Sequence, residues 1–129
     1  MDNAKKRLLL IDENDTRRAS RIHLLTSAGY AVYVRDDYIE AERLDHERDF
    51  DVIVLALHGE AHRAIAYSDH LSRDTPRQPI LLLTDYGVYV PKGTLSRSIE
   101  SGDPDALIHE LASMLSGSTY VRELPIQVK

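Results

Sequence analysis

Residues 51–57 read DVIVLAL, an almost unbroken apolar run with an acid in front and His58-Gly59 behind. A run this short and this apolar is the mark of a strand buried on both faces, as at the centre of a parallel sheet. Its neighbours repeat the theme. Residues 7–11 form a second apolar burst that ends in Asp12-Glu13, residues 31–34 a third, and residues 80–83 a fourth that ends at Thr84. Residues 96–99 read as a weaker fifth strand.

Between the strands the apolar residues change to helical spacing. Asn14 or Asp15 caps a first helix, with Ala19, Ile22, Leu25 and Ala28 facing inward and Gly29 stopping it. Asp36 caps a second, with Ile39, Ala41 and Leu44 inward. A third spans residues 60–71 and turns Ala61, Ala64, Ile65 and Leu71 inward. Asp103-Pro104 opens another, whose apolar face is Leu107, Leu111, Met114 and Leu115. Residues 85–95 hold Gly87, Pro91 and Gly93, which argue against a long helix there. Strands alternating with helices predict an α/β domain, a flavodoxin-like three-layer sandwich with a five-stranded parallel sheet in the order 2-1-3-4-5. The expected domain covers residues 1–117. Residues 118–129 form a tail in which Val121, Leu124, Ile126 and Val128 alternate with polar residues, suited to an extra edge strand, a partner-binding segment or a linker.

Composition narrows the classes. With 129 residues, one domain with a real core is expected. The net charge of −5 argues against a nucleic-acid surface built from the whole domain. There is no cysteine, hence no disulfide and no thiol chemistry. The apolar run after the N-terminal lysines is too short for a signal peptide or membrane span, which predicts a cytoplasmic protein with no membrane partner.

LLLIDEN at 8–14, AGYAV at 28–32, DVIVLAL at 51–57, PILLLTD at 79–85 and GDPDALIHEL at 102–111 come in an order and spacing that resemble the CheY-like receiver domain of bacterial two-component response regulators. The resemblance covers residues 5–117. It implies two acids after the first strand that hold Mg²⁺ and an aspartate at the end of the third strand that takes a phosphoryl group. It also implies a hydroxyl after the fourth strand and a lysine after the fifth that bind the phosphoryl oxygens, and a fifth-strand aromatic that changes rotamer. Phosphoryl transfer to a carboxylate requires such cations to offset the crowding of two anions.

Asp12 and Glu13 match the acidic pair and Thr84 the hydroxyl. Ala56 falls on the phosphoacceptor, Glu100 near the lysine and Ser98 near the aromatic. The stretch from Thr84 to Glu100 is also short, which predicts a shortened or lost fourth helix. These departures describe an atypical receiver, a pseudo-receiver without its phosphoacceptor. Such a module is expected to be no enzyme and to need no cofactor beyond weakly held Mg²⁺. It would act through a protein partner (a kinase, or a regulatory or output domain), with homodimerisation an added possibility and no direct nucleic-acid contact.

Other readings stand beside this one. Asp12 and Glu13 either bind a divalent cation or persist as a solvated or arginine-paired relic. Thr84 is either a phosphate ligand or a strand-end hydroxyl bonded to backbone, the second favoured. His58 and His62 are a metal pair only if one helix carries both, and Gly59 opposes that. Tyr86, Val88, Tyr89 and Val90 form a partner-docking patch or cover the sheet edge. A working receiver would need a displaced acceptor, with Asp85 a better choice than Asp51 or Asp36. A small-molecule sensor would bind at the crest between the first and third strands, without a glycine-rich phosphate loop.

Overall fold

The structure is a computed structural model, which describes residues 5–35, 50–57, 62–75, 77–84, 97–100 and 103–116. Five parallel strands, β1 (Arg7–Ile11), β2 (Ala31–Arg35), β3 (Val52–Leu57), β4 (Ile80–Thr84) and β5 (Arg97–Glu100), form one sheet in the order β2-β1-β3-β4-β5. Three helices accompany them among the described residues: α1 (Asp15–Ser27), α2 (His62–Asp74) and α3 (Pro104–Leu115). This is the expected flavodoxin-like architecture. The helix expected after Asp36, the segment of the shortened or lost fourth helix and the tail lie outside the described residues.

The two faces of the sheet carry two cores. Leu8, Leu10, Val52, Val54, Leu81 and Leu83 pack with Leu25 of α1 and with Leu107 and Leu111 of α3. Leu9, Ile11, Ile53, Leu55, Leu57, Ile80 and Leu82 pack with Ala64, Tyr67 and Leu71 of α2. Side chains alternate sides along a strand, so a strand buried on both faces must be apolar throughout. All six residues of β3 are buried.

The helix ends follow their local chemistry. Asn14 Oδ1 accepts from the Arg17 N–H at 2.9 Å, capping α1. The chain leaves α1 through Gly29 at φ +102°, a left-handed conformation that glycine enters without steric cost. Asp103 Oδ1 accepts from the Asp105 N–H at 2.9 Å, and Pro104 opens α3. The α2 helix continues three residues past the expected end at Leu71. There the Thr75 N–H and Oγ1 both donate to the Leu71 carbonyl, at 2.7 and 2.8 Å.

Four details differ from expectation. Asp51 lies just outside β3, and its carboxylate turns back to accept from the Arg7 N–H at 2.6 Å. Strand β5 sits one residue later than expected, in register with β4, so that Glu100 pairs with Thr84. On α1, Ala19 is exposed, and Ala28 is the exposed C-cap residue just past the helix. The buried residues of α1 are Leu25 and, four positions earlier, Arg21. A methyl group gains little from burial, whereas Arg21 finds a partner on the inside.

Candidate functional site

The carboxyl ends of the strands form a crest, the edge at which parallel α/β sheets gather their ligands. Register sets its members side by side. Ile11 pairs with Leu55, so Asp12 follows on beside Ala56. Ala56 pairs with Leu83, Leu57 with Thr84, and Thr84 with Glu100. Of the expected site positions, Asp12 and Ala56 thus stand in one row and Thr84 and Glu100 in the next, one residue further along the strands. Ser98 is exposed on β5 opposite Leu82.

Asp12 is fully buried, whereas its neighbour Glu13 is exposed. Burying a carboxylate is costly unless its oxygens are matched by donors. Here they are. Asp12 Oδ1 accepts from the Asn14 N–H at 3.0 Å, and Oδ2 accepts from Arg21 Nη1 at 2.6 Å. The Asp12 carbonyl accepts from Arg18 Nη1 at 2.9 Å, and Arg18 Nη2 reaches Asp15 at 2.6 Å. The Asp12 N–H donates to the Arg35 carbonyl on the far side. The turn after β1 is therefore held by two arginines one helical turn apart on α1.

Thr84 is nearly buried, and its Oγ1 donates to the Ile99 carbonyl at 3.1 Å, a backbone bond of the kind favoured from sequence. Ala56 is 3% exposed and offers a methyl group. The residues present do not fit a divalent cation. Mg²⁺ and its relatives require several oxygens from a site, whereas the Asp12 oxygens already meet Arg21 and Asn14, Ala56 brings none, and the exposed Glu13 carboxylate is left as a single ligand. Among the described residues no group of three or more His, Cys, Asp or Glu is arranged to hold a metal. His62, exposed, is the first residue of α2, and its supposed companion His58 lies outside the described residues, as do Asp85, Tyr86, Val88, Tyr89 and Val90.

Arg21 escaped the sequence reading. The signal was its spacing. Arg18, Arg21 and Leu25 share a stripe of α1 as good as that of Ile22 and Leu25, and this stripe passes beside the acid that ends β1.

The opposite edge of the sheet is fastened differently. The Arg7 guanidinium lies 5.8 Å from the Tyr33 ring centre and 6.0 Å from that of Phe50, and the two rings meet edge to face at 5.7 Å.

No protein-family model matches the chain, and no curated protein matches it by sequence. Solved structures do match. The signal receiver domain of an HD domain-containing protein from Pseudomonas fluorescens superimposes with a TM-score of 0.75 at 19% identity, over 88% of this chain and 96% of that one. The fold is that of the receiver domain. The response regulator TrrA from Thermotoga maritima, in complex with Mg²⁺ and BeF, matches the receiver fold here with a TM-score of 0.75 at 19% identity, over 85% of this chain and 99% of its own. TrrA in complex with the histidine kinase ThkA matches with the same TM-score and identity, over 85% and 98%. At these identities the likeness establishes the receiver fold.

Proposed function

We propose that this chain is a cytoplasmic pseudo-receiver, a two-component-type signalling module that works by protein–protein contact and does not take up a phosphoryl group. One observation carries the reading. Ala56 stands at the carboxyl end of the central strand, beside an Asp12 whose carboxylate is committed to Arg21 and Asn14. A methyl group cannot attack phosphorus, so no covalent intermediate forms at that position. The strand position paired with Thr84 carries an acid, Glu100, where the receiver resemblance implies a lysine to balance a phosphoryl group. The Thr84 hydroxyl is engaged with the Ile99 carbonyl. Asp51 is no substitute acceptor, because it caps the opposite edge of the sheet.

The partner in this reading is a protein: a kinase, as in the TrrA–ThkA complex, an output domain, or a second copy of the chain. No described helix is long and apolar enough to cross a membrane.

The test is incubation with acetyl phosphate and Mg²⁺ followed by intact-mass measurement. The mass is expected to stay unchanged, and a stoichiometric phosphoryl adduct overturns the proposal. Light scattering across a range of concentrations tests self-association, and a monomer throughout removes the homodimer from the list of partners.

A further inference from the structure

We infer that the Arg21 guanidinium is the built-in cation of the crest, supplying from within the chain the positive charge that a metal-binding crest takes from solution. The inference rests on the functional reading above and deepens it, because it names the residue that keeps the crest in one electrostatic state.

Three observations carry it. Asp12 is fully buried and its ion-pair partner Arg21 has a side chain only 10% exposed, so the pair sits largely out of water. A guanidinium presents a planar fork of donors that suits a carboxylate, so Arg21 sets a cation directly against Asp12. And the carboxylate is matched on both oxygens, by Arg21 Nη1 at 2.6 Å and by the Asn14 N–H at 3.0 Å.

A divalent ion approaching Asp12 would have to displace Arg21 and leave its charge in a medium that solvates it poorly. Arg18, one turn earlier, ties the same turn to α1 through the Asp12 carbonyl, and pairs within the helix with Asp15. Adding back the carboxylate that Ala56 lacks would therefore not create a metal site while Arg21 remains. This separates two deficits that otherwise look like one: a missing oxygen ligand, and a resident cation.

The test is Mn²⁺ binding, read from the paramagnetic resonance signal of the free ion, on the wild-type chain, Ala56→Asp, and Ala56→Asp combined with Arg21→Gln. Wild type and Ala56→Asp should leave millimolar Mn²⁺ free, and the double variant should bind at least about ten-fold tighter than Ala56→Asp. Equal affinity in the two variants overturns the inference. Should the double variant fail to fold by circular dichroism, thermal unfolding of Ala56→Asp decides the matter. Millimolar MgCl₂ should leave its midpoint unmoved, since only an ion that binds the native state raises it, and an upward shift overturns the inference.

The two proposals fail separately. Mn²⁺ binding by the wild type without a phosphoryl adduct removes Arg21 from this role and leaves the contact-signalling function standing. A phosphoryl adduct without Mn²⁺ binding does the reverse.

Discussion

Arg21 Nη1 stands 2.6 Å from Asp12 Oδ2, joining the middle of α1 to the residue that ends β1. Removing one member of such a pair strands the other in the interior. Arg21→Met is expected to cost about 3–5 kcal/mol in urea unfolding. Adding Asp12→Asn, which keeps an acceptor for the Asn14 N–H, should recover about 1 kcal/mol or more of that loss, as a double-mutant cycle would read. Simple additivity of the two changes would contradict the coupling.

Thr84 ties β4 to β5 through the Ile99 carbonyl. Thr84→Val keeps the shape and deletes the donor, so unfolding should be easier by about 1 kcal/mol. Thr84→Ser keeps the donor but loses a methyl group. A Val variant as stable as the wild type would mean that the bond contributes nothing.

Asp51 accepts from the Arg7 backbone N–H at 2.6 Å, closing the amino-terminal edge of β1 against the start of β3. Hydrogen bonds to a charged group are among the stronger ones, and Asp51→Ala should cost about 2 kcal/mol. Because Asp51 is remote from the crest, the same variant should leave the intact mass after acetyl phosphate treatment identical to that of wild type, apart from the substitution itself.

Ala56→Asp tests the crest from the other direction. The new carboxylate would be buried beside Asp12, and the variant should lose stability by about 2 kcal/mol or more. It should also fail to gain a lasting phosphoryl group or to dimerise on phosphodonor treatment, if Glu100 and Ser98 hold the positions that the receiver resemblance assigns to the lysine and the aromatic. Full phosphorylation-driven dimerisation would show those two assignments to be misplaced.

The sheet was legible because its signal is redundant. Each of the four strong strands is an apolar run bounded by polar residues, and an error of one residue, as at β5, leaves the order intact. Helix ends were legible where a single side chain does the work, as at Asn14 and Asp103. The interior of the crest was not. Whether Asp12 meets a metal, water or an arginine depends on which stripe of α1 turns inward, and Ile22 with Leu25 and Arg21 with Leu25 serve the periodicity equally well. Burial of Arg21 repays its cost only where an acid waits on the neighbouring strand, and that pairing is a tertiary fact. Asp51 shows the same limit: it read as the first residue of a strand, and its carboxylate in fact serves the backbone of another.

Parity along β3 has a practical use. Residues 53 and 55 pack into the core under α2, while 52 and 54 pack into the core under α1 and α3. Two reporters one position apart, such as isotope-labelled methyl groups at Ile53 and Val54, would therefore look out on opposite layers from the same strand. When a partner docks, whichever of the two resonances moves would identify the side on which it landed, even for a partner whose contact residues have never been mapped.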